Sequence, residues 1–144
     1  MSDRKELLDA TIAAFNAKDY DGIVAFYTDD AEVTVPGRPT VRGKAAIKET
    51  WQTQFSVFPD AVLKPTSFVD AGDAIVIELV FEGTNTGEVL LPDGNKLPPT
   101  GKKVSLRSAS VAELDGDLIK RHTVYGDNVE LMAQLGLLPA PATA

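Results

Sequence analysis

The chain of 144 residues carries one histidine, His122, and no cysteine. An imidazole donates, accepts or shuttles protons near neutral pH, so His122 is the first candidate for chemistry. Asp127 follows five residues later and is the second: a carboxylate able to orient the imidazole or to act as acid or base itself. Ser108 and Ser110 add two hydroxyls from the preceding segment. Each leading candidate has a plainer alternative. A buried histidine is often satisfied inside a core. Asp127 followed by Glu130 also suits the N-cap of a helix with its capping-box partner. The same counts remove whole mechanisms. Without cysteine there is no disulfide framework, no thiolate nucleophile and no cysteine-ligated metal. With one histidine, every metal site or relay needing two from one chain is gone.

These side chains need elements to hold them. Leu8, Ile12 and Phe15 recur at i, i+4 and i+7, which predicts a first helix, with Asp3 and Glu6 as a capping box. A short second helix is expected from Tyr20 to Tyr27, N-capped by Asp19 and interrupted by Asp29 and Asp30. Val33 and Val35 alternate with polar residues in a short strand ended by Pro36-Gly37. A third helix follows Gly43, with Ile47, Trp51 and Phe55 on one stripe and Pro59 as its stop. From Asp60 onward the period is two. Strands are expected near 61–70, 73–84, 103–115 and 117–125, with turn chemistry at Ala71-Gly72-Asp73 and Leu114-Asp115-Gly116-Asp117. Pro92 to Gly101 reads as a long loop, and a last short helix runs from Asp127 to before Gly136. Helices first and strands later predict an α+β fold, with helices on one face of a curved, mostly antiparallel sheet.

Alternation assigns the faces. Ile75, Ile77, Leu79 and Phe81 should face the helices. So should Leu106, Ser108, Ser110 and Ala112, and then Leu118, Lys120, His122 and Val124. Small Ser and Ala side chains opposite Trp51 and Phe55 leave volume unfilled, which predicts a pocket. Its polar groups need partners in each other, in water or in a ligand. Phe15, Tyr27 and Trp51 fit the pocket wall, or plain core packing. Glu78, Glu82, Arg107, Glu113 and Arg121 should pair across strands on the opposite face. That face also carries Val76, Val80, Val111, Ile119 and Tyr125, apolar enough to predict a homodimer through it.

Net charge is −7 and no stretch is basic, so neither nucleic acid nor an anionic membrane is an expected partner. The N-terminus has no apolar signal region and no window approaches a membrane span, so a cytoplasmic location is expected. Gly83 to Gly87 and Gly94 match no phosphate loop. The reading is one domain over residues 1–138, with 139–144 as a tail.

The order of local features resembles a known family. Ala14-Phe15-Asn16, Gly43, Phe58-Pro59-Asp60, Glu82-Gly83-Thr84-Asn85-Thr86-Gly87, Pro98-Pro99-Thr100-Gly101-Lys102, and Asp115-Gly116-Asp117 through Tyr125-Gly126-Asp127 to Gln134-Leu135-Gly136 resemble the SnoaL-like polyketide cyclases of the NTF2-like superfamily. The resemblance implies an α+β cone wrapped around an apolar pocket. It also implies intramolecular aldol chemistry through an aspartate and a nearby histidine, with no metal or organic cofactor. The family's Asp position falls here at Val124 and its His at Ser110. The His of its Gly-Thr-His-x-Gly segment is Asn85. Related chemistries on the same cone also lack their residues: no Arg-x-Asp pair occurs, and Ala31 to Gly37 offers only Glu32. What remains expected is a small apolar or carbonyl-containing ligand, held in a pocket of Phe15, Tyr27, Trp51, Phe55, Phe81, Ser108, Ser110 and Val124. His122 and Asp127 are the catalytic candidates for cofactor-independent cyclase-, isomerase- or lyase-type chemistry. The alternative is a non-catalytic carrier.

Overall fold

Residues 4–91 and 93–137 are described by a computed structural model. The apolar stripes of the N-terminal third form α1 (Arg4–Asn16), α2 (Tyr20–Val24) and α3 (Lys44–Val57), with β1 (Tyr27–Thr34) and β2 (Val41–Arg42) between them. Asp19 caps α2 by accepting from Gly22 N at 3.1 Å. Asp3, the expected cap of α1, and the tail 139–144 lie outside the described residues. The period-two region gives β3 (Val62–Asp70), β4 (Ala74–Thr84), β7 (Lys103–Asp115) and β8 (Leu118–Tyr125), then α4 (Asn128–Gln134).

Six strands form one curved sheet in the order β2-β1-β8-β7-β4-β3. All neighbours are antiparallel except β1 and β8, which run parallel. Helices α1 and α3 pack over the inner face, and Ile47, Trp51 and Phe55 of α3 are buried against it. Phe15 meets Trp51 edge-to-face at 5.1 Å between ring centres, a contact worth about 0.5–1.5 kcal/mol beyond its burial.

Three expectations need correction. The second helix ends at Val24, so Tyr27 opens strand β1 and its side chain is fully buried. Helical spacing in sequence does not distinguish a helix end from a strand start when both bury the same residue. The expected loop 92–101 contains half of a small hairpin, β5 (Val89–Leu90) paired with β6 (Lys96–Leu97). Gly87 lets this hairpin sit down, because a Cβ there would collide with the Ser56 carbonyl oxygen. The third correction is in β8. Glu113 pairs with Arg121 but Leu114 pairs with Ile119, so Lys120 is an extra residue in a bulge. The bulge turns Ile119 inward at 7% exposure and leaves Leu118 outward at 42%. Leu118 and Lys120 were expected inside, and Ile119 outside.

Candidate functional site

The inner face of the sheet and the stripes of α1 and α3 enclose a cavity of about 410 Å³. Phe15, Trp51, Phe55 and Phe81 supply aromatic wall, while Ile77, Leu79, Leu106 and Ile119 supply the aliphatic part. Leu131 and Met132 of α4 close one side, and Val89 and Leu91 of the hairpin another. None of these four was assigned to the site from sequence. Their signal is weak, since a short amphipathic helix and a two-residue strand look the same whether they cover a cavity or the surface.

The polar part of the wall comes from β7 and β8. Ser110 pairs with Val124 and Ala112 with His122, so the three inward side chains Ser110, His122 and Val124 are neighbours on one patch. Ser108 is one inward position further along β7. The hydroxyls and the imidazole do not satisfy one another. Instead, Tyr27 Oη and His122 Nδ1 lie 2.8 Å apart. The two rings stack at 6.0 Å between centres, and Trp51 lies 5.7 Å from the imidazole on another side. His122 is 8% exposed. Burial pushes its pKa down to about 4, so the ring is neutral at neutral pH. Burial also pushes the Tyr27 hydroxyl well above its ordinary value. Tyr27 therefore stands behind the imidazole as its partner, and not on the cavity wall where sequence placed it. Sequence could not pair them, because they are 95 positions apart on strands joined only by the parallel β1–β8 contact.

Asp127 lies on the cavity rim. It is also the N-cap of α4: its Oδ1 accepts from Val129 N at 2.9 Å and from Glu130 N at 3.0 Å. That leaves Oδ2 without a partner among the described residues, so capping and a role at the rim coexist in one carboxylate. It is the only carboxylate among the described lining residues. Asn85 has no such freedom. It is fully buried, donates to the carbonyls of Val57 and Gly87, and accepts from Thr100 N and Oγ1 at 2.8 and 2.9 Å. Every hydrogen-bonding site of this amide is used to tie the loop ends together. No cluster of three histidine, aspartate or glutamate side chains that could hold a metal occurs among the described residues. No helix there is long and apolar enough to cross a membrane.

The profile of the SnoaL-like domain matches residues 8–122, most of the chain. The chain belongs to the SnoaL-like domain family. Solved structures of the NTF2-like, ketosteroid-isomerase-like fold superpose on it. A candidate SnoaL-like polyketide cyclase from Jannaschia matches with a TM-score of 0.81 and 18% identity, over 93% of this chain and 92% of that one. TsrD from Streptomyces laurentii matches with 0.79 and 23%, over 96% and 100%. TerC, co-crystallised with polyporic acid, matches with 0.73 and 22%, over 90% or more of both chains (91% and 96%). At these identities the likeness establishes the SnoaL-like cone and no reaction.

Proposed function

We propose that this SnoaL-like chain binds one small, mostly apolar carbonyl compound in the cone and promotes its enolisation without a cofactor. The observation that carries the reading is the neutral, buried His122, one ring nitrogen held by Tyr27 and the other without a partner among the described residues, in the wall of an apolar cavity. A neutral imidazole in such a place stabilises charge developing on a carbonyl oxygen by hydrogen bonding. The rim carboxylate Asp127 takes the α-proton, and the same proton or one from solvent returns to carbon. Aromatic walls and a cavity of about 410 Å³ suit a ligand with one or two fused rings.

The test uses 2-acetylnaphthalene in D₂O, with α-deuteration followed by proton NMR. Wild type should accelerate exchange, and His122→Gln and Asp127→Asn should each slow it by about a hundredfold. Exchange at the uncatalysed rate in wild type, with the ketone bound, replaces this reading with the carrier. The carrier is favoured by what the family resemblance implies: the positions it gives to a catalytic aspartate and histidine hold Val124 and Ser110 here.

Pairing of two copies through the outer sheet face is part of the proposal. Val62, Val69, Val76, Val80, Val111 and Tyr125 share that face by register, and Tyr125 is 59% exposed. Sedimentation should give a dimer that Val111→Lys converts to monomer; a wild-type monomer at high concentration contradicts it.

A further inference from the structure

The Tyr27–His122 contact has two ways to carry its proton, and the buried groups around it decide between them. If His122 Nδ1–H donated to Tyr27 Oη, the tyrosine's own O–H would need a second acceptor. Tyr27 is fully buried and no other acceptor reaches its hydroxyl among the described residues. The indole N–H of Trp51, whose ring lies against the imidazole, is donor-only and cannot serve. It is buried and has no hydrogen-bond partner among the described residues. In this first arrangement a buried O–H is stranded, at the desolvation cost of an unmade bond. In the second, Tyr27 O–H donates to Nδ1, and the tyrosine's one proton is satisfied. The imidazole proton then sits on Nε2. Among the described residues that nitrogen has no partner, and it is not among the buried unpartnered atoms, where Trp51 Nε1 stands alone. Nε2 therefore opens on the cavity that His122 lines.

We infer that Tyr27 is a positioning residue that locks His122 as the Nε2–H tautomer, so that the cavity offers a fixed N–H donor and selects ligands presenting an oxygen acceptor. The ligand class rests on the reading of the cavity as a binding site; the tautomer does not. A ketone, enolate or quinone oxygen fits such a donor. A ligand presenting only N–H donors meets an N–H head-on and is rejected, whereas a hydroxyl can turn a lone pair to it. Ser110, beside His122 on the wall, can turn its hydroxyl to suit either kind, so it is the fixed imidazole that discriminates.

His122 is the sole histidine, so its ring nitrogens are assigned without ambiguity in a two-bond proton–nitrogen NMR spectrum. Wild type at neutral pH should show one neutral tautomer with the proton on Nε2. Tyr27→Phe, which removes the donor and keeps the ring, should give a mixture of tautomers. A wild-type Nδ1–H tautomer or a charged ring overturns the inference, and so does a folded Tyr27→Phe protein with an unchanged spectrum. The wild-type spectrum decides even if the variant does not fold. The ligand class is read from quenching of Trp51, the only tryptophan, by 2-acetylnaphthalene and by 2-ethylnaphthalene. The ketone should bind roughly five- to tenfold more tightly to wild type, the worth of one hydrogen bond, and the gap should narrow in Tyr27→Phe. Equal binding of the two to wild type overturns the acceptor preference. If neither binds while the Nε2–H tautomer is seen, the cavity reading fails and the role of Tyr27 stands.

Discussion

Strands β7 and β8 present polar groups on both faces, and the two faces obey different rules. Outside, Arg121 bridges Glu113 at 3.2 Å and Glu32 at 3.6 Å, and Lys64 meets Glu82 at 3.1 Å, all in reach of water. Water satisfies whatever these pairs do not, so each contributes little. Arg107, expected to join this ladder, makes no ion pair among the described residues, and a solvated guanidinium has no need of one. Inside, Tyr27 and His122 have only each other. There a single unmade bond costs more than a whole surface pair contributes. Polarity on a strand thus says little until its face is known.

The contrast can be broken in four places. Tyr27→Ala should have the largest effect, a loss of about 3–5 kcal/mol in urea unfolding, because it opens a cavity and strands Nδ1 of His122. Acid is the second. The folded His122 pKa of about 4 lies below its ordinary 6.5. As pH falls from 6.5 to 4 the unfolded chain therefore takes up the proton first. Stability should fall by about 1.4 kcal/mol per pH unit, roughly 3 kcal/mol across the window, and be flat above it. His122→Gln should remove that slope. The carboxylates Glu32 and Asp60 are held below their ordinary 4.5 and 3.8 by Arg42 and by Thr84, so what they contribute starts to be lost as pH falls past those ordinary values. Third, Asp127→Ala should cost about 1 kcal/mol through the lost cap of α4, while Asp127→Asn keeps most of it. Thermal unfolding of the pair separates capping from any effect on exchange. Smallest of all, Arg121→Ala should change stability by about 0.5 kcal/mol or less, diminishing further in high salt. If the outer variant cost as much as Tyr27→Ala, the two faces would not differ as argued.

Much of this frame was legible in the chain. The alternation of β4 and β7 needs only period two, and the stripe of α3 only period 3.6. Helices laid on one sheet face follow from their order. The failures share a physical origin. Lys120 is an extra residue in β8, and a bulge shifts alternation without marking the sequence. Tyr27 sits where helix gives way to strand, and both states bury it. The partner of His122 was invisible because Tyr27 lies 95 residues away on a strand that pairs in parallel, and such a pairing leaves no local pattern. In contrast, the N-cap at Asp127 was readable from Asp127 and Glu130 alone, because capping is local chemistry.

The central claim is that the cavity meets its ligand through one hydrogen bond donated by His122. Its most direct measurement is the proton–nitrogen spectrum of His122 during titration with 2-acetylnaphthalene. The account predicts that the Nε2–H proton resonance moves downfield as the ketone saturates, while Nδ1, held by Tyr27, barely shifts. Saturation by the ketone with the Nε2–H resonance unmoved would contradict it.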